Sequence, residues 1–349
     1  MRQTVDVFIL ILGKPPDHPD SVGSLNLPVD LRLISTEPKS DSDLTEALLP
    51  SHLAEGDSDL VAVVAGSSEA TLRTAAMLAG RMATDWAAAF SIDRIDAGFR
   101  LDPTGMPGTD FRIIIAARAH HGPVVFRREK LQQIGPLRPV SEPVWDWLIR
   151  AVLGGEKINV SPDTDLSKSD FSRLPLLAPP LRGPESNWLR EHLASITPEQ
   201  LRRAPNLKPM TNVDEIAVRA ALFQWHDFLD ESHELSQSIE GQGEHQLGDY
   251  WHAIMHRREP DYSNAKYWFR RIGNQPTYRD LRLHADTVLS ECRAPQAAVW
   301  RDRLQSGDKW NPMVFVDLCE GCATDETSEL AIAARRIQFA EMCLLMCHR

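Results

Sequence analysis

The chain has 349 residues, 42% of them hydrophobic and 25% charged, and 49 acidic against 38 basic side chains give a formal net charge of −11. That length exceeds one comfortable hydrophobic core, so two domains are expected. An acidic chain is a poor general partner for nucleic acid or an anionic membrane surface, which excludes both as default ligands.

The chain opens with short apolar runs. "VDVFILILG" (5–13), "VDLRLIS" (29–35), "DLVAVVAG" (59–66) and "FRIIIAARA" (111–119) read as strands. The longest early apolar stretch, 7–12, is too short for a bilayer span. It also lacks the basic start and small-residue cleavage pattern of a secretory leader. Five cysteines, an odd number, fit reduced thiols better than a disulfide framework. These features predict a cytoplasmic chain with no membrane span.

Between the last two strands, "SEATLRTAAMLAGRMATDWAAAF" (68–90) is alanine-rich with helical spacing, and Ser68 is placed to cap it. Strand and helix in alternation predict an α/β sheet. The composition then shifts over 164–186, where Pro175, Pro179, Pro180 and Pro184 mark a linker or an extended wrap. From 187 to 349 the periodicity is helical throughout, including 213–240, which reads as one long helix. The expected organisation is an α/β domain over 1–163, a proline-rich linker over 164–186 and an all-α domain over 187–349.

One segment of the first half carries a specific resemblance. "VVFRREKLQQIGPLRPVSEPVWDWLIRAVLGGEKINVSP" (124–162) resembles the closing segment of the family 2 glycosyltransferase domain, a GT-A fold. Phe126-Arg127-Arg128, Ile134-Gly135, the Asp146–Arg150 step, Gly154-Gly155 and Val160–Pro162 stand where that family shows its own pattern. "LRLISTEPKSDSDLT" (31–45) is similar to the family's second strand and following acidic turn. The resemblance implies a GT-A-like sheet, a nucleotide or sugar-nucleotide ligand, and Asp41, Asp43 and Asp146 as its candidate contacts.

The chain also departs from that pattern. Where metal-binding acids would follow the third strand stand Ala65, Gly66 and Ser67. Small neutral residues cannot supply the oxygen ligands that a divalent cation on a diphosphate needs. Asp57-Ser58-Asp59 precedes the strand and so falls at the wrong sheet end. The position of the general base is Val144, with Glu142 out of register. The resemblance therefore implies sugar-nucleotide ancestry without an intact metal and base set.

In the helical half, "GDYWHAIMHRREPDYSNAKYWFRRIG" (248–273) is the most charged and aromatic stretch. A helix over 249–259 puts Asp249, His252, His256 and Glu259 on one stripe, with Trp251, Ile254 and Met255 opposite. Imidazoles at i,i+4 can chelate one metal, and His226 with His233 on the preceding helix could complete the set. Arg257, Arg258, Lys266, Arg270 and Arg271 offer an anion site for phosphate or carboxylate. Asn264 could line the same hollow.

Three readings stay open for this stretch: a satisfied polar network, a pocket for a small-molecule or carbohydrate ligand, and a divalent metal site. A metal-dependent hydrolase centred here is the competing functional class, and a non-enzymatic scaffold, its protein partner unspecified, is the third. Part of this stretch also resembles helical proteins of no established function, which implies no activity. Trp225, Trp251, Trp268, Trp300 and Trp310 at helical spacing read as core anchors before sugar platforms. Cys319, Cys322, Cys343 and Cys347 are loosely zinc-like, though the last two lie in an apolar helix.

Overall fold

A computed structural model describes residues 4–10, 30–36, 58–65, 69–82, 85–92, 123–138, 140–162, 174–202 and 210–347. The chain divides into two compact units, one holding the described residues up to Pro162 and the other those from Leu174 onward. The first is α/β and the second is helical.

The first unit is a six-stranded mixed sheet in the order β2-β1-β3-β5-β4-β6. Its strands are β1 (Thr4–Leu10), β2 (Asp30–Thr36), β3 (Leu60–Ala65), β4 (Trp86–Ile92), β5 (Val124–Arg127) and β6 (Lys157–Pro162). β1 runs parallel to both β2 and β3, β5 lies antiparallel between β3 and β4, and β6 is parallel to β4. Residues 60–64 of β3 are buried, as the unbroken apolar run "LVAVV" requires of a central strand covered on both faces. The predicted strand over 111–119 and the predicted cap Ser68 lie outside the described residues.

Helix α1 (Glu69–Gly80) covers the sheet. Leu72, Ala75, Ala76 and Ala79 recur at i, i+3, i+4 and i+7 and form one core cluster with Leu60, Ala62 and Val64 of β3, Ala89 of β4 and Val125 of β5. Alanine on that stripe removes the bulk that would hold helix and sheet apart.

The helical pattern read over 68–90 overshoots. The helix stops at Gly80, and "WAAAFSI" forms β4. Ala87, Ala88 and Ala89 are buried there, so pairing with β5 and β6 overrides alanine's intrinsic helix preference.

The segment 124–162 closes the sheet as β5, α2 (Arg128–Ile134), α3 (Pro143–Leu153) and β6. Arg128 anchors the start: its backbone N–H donates to Asp59 O at 2.9 Å and its Nε to Ser58 O at 2.7 Å. Gly135, at φ 97°, makes the left-handed turn after α2 that a side chain would oppose. Trp147 on α3 donates its indole N–H to Gly135 O at 3.1 Å and meets Phe126 of β5 edge-on at 5.0 Å.

The second unit comprises α4 (Asn187–Ser195), α5 (Pro198–Arg202), α6 (Asn212–Trp225), α7 (Leu229–Ser238), α8 (Leu247–Arg258), α9 (Tyr262–Ile272), α10 (Tyr278–Glu291), α11 (Ala297–Gln305), α12 (Pro312–Cys322) and α13 (Glu329–Cys347). Local sequence sets several starts. Thr211 and Asp214 form a reciprocal capping box on α6. Asn311 accepts from the Met313 and Val314 N–H groups ahead of α12, whose first residue is Pro312.

The single helix predicted over 213–240 breaks into α6 and α7 at Asp227, which sits at φ 66°. The reason lies elsewhere in the chain: the Asp227 carboxylate accepts from the buried Arg258 guanidinium, a partner the local pattern cannot reveal.

The proline-rich stretch also differs from a free linker. In its described part, Leu174 and Leu177 are buried against the helical unit. Arg258 Nε donates to Leu176 O at 3.1 Å, Gln338 Nε2 donates to the same carbonyl at 3.0 Å, and Glu326 accepts from the Leu177 and Ala178 N–H groups. Residues 174–178 are thus a strap bound to α8, α13 and the turn before α13. No helix among the described residues is long and apolar enough to cross a membrane.

Candidate functional site

Helix α8 is the centre of the helical unit. Every residue from Gly248 to Arg258 is buried, so the helix has no solvent face. Its polar residues meet three different environments.

Asp249 serves the backbone. Both its carboxylate oxygens accept from Gly241 N–H, at 3.0 and 3.1 Å. Burial raises its pKa, opposed by that N–H and by Arg271. The contact closes the turn between α7 and α8.

Arg257 and Arg258 are fully buried. Arg257 Nη2 donates to Glu341 Oε2 at 2.6 Å, and its guanidinium lies 4.6 Å from the Phe315 ring centroid. Tyr250 Oη donates to Glu341 Oε1 at 3.0 Å, and burial next to Glu341 pushes the phenol pKa well up. Arg258 donates to Asp227, to Gln224 O and to Leu176 O. Arg258 is engaged at all three guanidinium nitrogens, whereas Arg257 bonds through Nη2 and keeps Nε and Nη1 without a hydrogen-bond partner. Glu341, which the sequence reading missed, had one local signal: it is the only acid in the apolar run "FAEMCLLMC".

The third environment is a histidine cluster. His233 on α7 meets His252 and His256 on α8, and one ligand nitrogen from each lies within 4.8 Å of the others. Ring centroids are 4.7 Å apart for His233–His252, 5.3 Å for His233–His256 and 4.7 Å for the stacked His252–His256 pair. Trp268 of α9 stacks on His252 at 4.1 Å. His252 is buried, with no hydrogen-bond partner at either ring nitrogen. Burial, reinforced by the neighbouring His256 and His233, lowers its pKa to about 3, so it is neutral near pH 7.

His256 is held from both sides: Nδ1 lies 2.7 Å from Glu259 Oε1, and Asn264 Nδ2 lies 3.0 Å from Nε2. Asp261 joins His256 and Glu259 in a second group of closely spaced ligand atoms and caps α9 through Asn264 N–H at 3.1 Å. His226 stands apart from the cluster. It is buried at the end of α6, and its carbonyl accepts from Arg182 Nε.

The remaining candidates scatter. Lys266 pairs with Asp317 at 2.6 Å, and Arg270 is exposed. Trp225, Trp251, Trp268 and Trp310 are buried, as core anchors would be. Trp300 is half-buried, with the Arg303 guanidinium 4.3 Å from its ring centroid. Cys319 and Cys322 are buried, and burial pushes their thiols up to about 12 and about 11.

In the α/β unit, Asp146 is fully buried. It accepts from Arg150 Nε at 2.9 Å, while Arg150 Nη1 and Nη2 donate to Ile134 O and Pro136 O at 3.0 and 2.6 Å. The pair clasps the turn between α2 and α3, which is a folding role. Asp41 and Asp43 lie outside the described residues.

No family model matches the chain, and no curated protein matches it. Among solved structures, the mannosyltransferase PcManGT from Pyrobaculum calidifontis, in complex with GDP-Man and Mn2+, aligns at 12% identity with a TM-score of 0.34. The alignment covers 94% of this chain and 88% of that one. A likeness that slight assigns nothing further.

Proposed function

We propose that the α/β unit is a glycosyltransferase-related domain that binds a nucleoside diphosphate or its sugar conjugate and lacks the groups for metal-assisted transfer. The observation carrying this reading is the build of the segment 124–162. The residues that resemble the family 2 pattern form a strand, a helix, a glycine turn, a clasped second helix and a closing strand. Arg128, Asp146 and Arg150 in that pattern hold the fold together, so the resemblance reports architecture and not chemistry.

The sheet supports the same reading. β1 has β2 on one side and β3 on the other, both parallel to it. In such sheets ligands bind in the crevice beyond the carboxyl ends of the strands where the winding direction reverses, which here lies beyond Leu10 and Ala65. Ala65 ends β3, and neither it nor Gly66 and Ser67, which follow it in the sequence, carries a carboxylate for a divalent ion. Val144 likewise offers no general base.

Thermal unfolding with a panel of uridine, guanosine and thymidine diphosphates and their sugar conjugates tests this. The expected result is a rise in Tm with one base class that persists in EDTA, without release of free nucleoside diphosphate from the sugar conjugate. Stabilisation seen only with Mn2+, or steady turnover, would overturn the reading. So would no shift across the panel.

A further inference from the structure

The histidine cluster carries an inference independent of the sugar-nucleotide reading. We propose that His233, His252 and His256 form a binding site for a divalent transition-metal ion of the zinc class, with a coordination position left for an exogenous ligand.

Geometry comes first. Two ligands come from one helix at i,i+4 and the third from the helix before it, and their nitrogens already lie within 4.8 Å of one another. Side chains on facing helices are the usual way a bundle builds a metal centre. Three imidazole nitrogens suit zinc and its neighbours and do not suit magnesium or calcium, which take oxygen. A set of three protein ligands also leaves the fourth tetrahedral position open, as in zinc sites that act on a bound molecule.

His252 is the second, independent observation. It is 1% exposed, and neither of its nitrogens has a hydrogen-bond partner. Buried polar groups are almost always paired, so an imidazole left with two open nitrogens among two other imidazoles has a missing partner. A metal ion binds the neutral ring.

The surroundings fit an ion. Glu259 on His256 Nδ1 fixes the proton there and leaves Nε2 with its lone pair, the carboxylate–histidine arrangement that orients metal ligands. Asn264 holds that lone pair and would yield it to the metal. Trp268 walls the cluster on the His252 side. The Arg271 guanidinium is paired with Glu240 at 2.5 Å and lies over the Trp268 ring.

The test is a Zn2+ titration of the full chain, purified without a histidine tag and stripped of metal, by competition with a chromogenic chelator. Co2+ substitution reports geometry. The expected result is one Zn2+ per chain, no competition from Mg2+, and the intense visible absorption of tetrahedral Co2+. His233→Ala, at a half-buried position, should abolish saturable binding while the far-UV circular dichroism stays unchanged. Glu259→Gln should weaken binding about 10–100-fold. No stoichiometric Zn2+ uptake, pale octahedral Co2+, or full affinity in folded His233→Ala would overturn the proposal. If buried His252→Ala fails to fold, the wild-type and His233→Ala titrations still decide.

Discussion

At the residue scale, the helical unit places ionisable groups where charge is opposed or fully spent. His252 is held neutral by burial and by two other imidazoles, with a pKa of about 3, and burial next to Arg336 lowers His284 to about 4. Both values lie below the unfolded value of about 6.5, so the unfolded chain takes up these protons first as pH falls. Their contribution to stability is therefore complete above pH 6.5 and is lost from there down towards pH 4. Each imidazole adds a slope approaching ~1.4 kcal/mol per pH unit in that window. Urea unfolding between pH 7 and 4.5 should show that fall, and His252→Gln should remove one imidazole's share of it. An equally steep profile in the variant would contradict the placement. The sequence showed His252 and His256 sharing a face, because i,i+4 spacing is a local property. It could not show that His226 stands apart, because the chain turns at Asp227 for a partner thirty-one residues away.

At the element scale, α8 is a buried strut fastened by its two arginines. Glu341→Leu leaves the Arg257 charge buried and unpaired, and should cost about 3–5 kcal/mol in chemical unfolding. Arg257→Met combined with Glu341→Leu removes both charges and should recover a large part of that loss. A double variant as unstable as the single would show that packing against Phe315, and not charge pairing, dominates. Thr211→Ala, which removes the α6 capping box, should cost about 1 kcal/mol, without loss of helix elsewhere. In the α/β unit, Asp146→Ala should destabilise by about 3 kcal/mol by freeing Arg150 from the α2–α3 turn.

Caps and continuous apolar runs were legible because they are short-range signals. The arginines of α8 read as an anion site because their partners, which come from α13, the strap and the α6–α7 turn, are distant in sequence. The alanines of β4 misled for a related reason: helix preference was outweighed by two neighbouring strands.

At the scale of the whole molecule, the chain has two compact units of different build. The α/β unit has a sheet in which β1 lies between β2 and β3, parallel to both. The helical unit gathers two imidazoles, His233 and His256, around the buried, unsatisfied ring of His252. The division into halves was readable from the switch in periodicity near the proline-rich stretch. That stretch was read as a linker or an extended wrap because proline reports only local stiffness, and in its described part Leu174, Leu177 and the carbonyls between them hold it as a wrap on the helical unit.

The central claim, that the α/β unit is the nucleotide-binding half, is tested most directly by hydrogen–deuterium exchange of the full chain with and without a saturating nucleoside diphosphate. The account predicts slowed exchange in peptides at the carboxyl ends of β1 and β3, with α6 to α13 unchanged. Protection confined to the helical unit, or none in either, would contradict it.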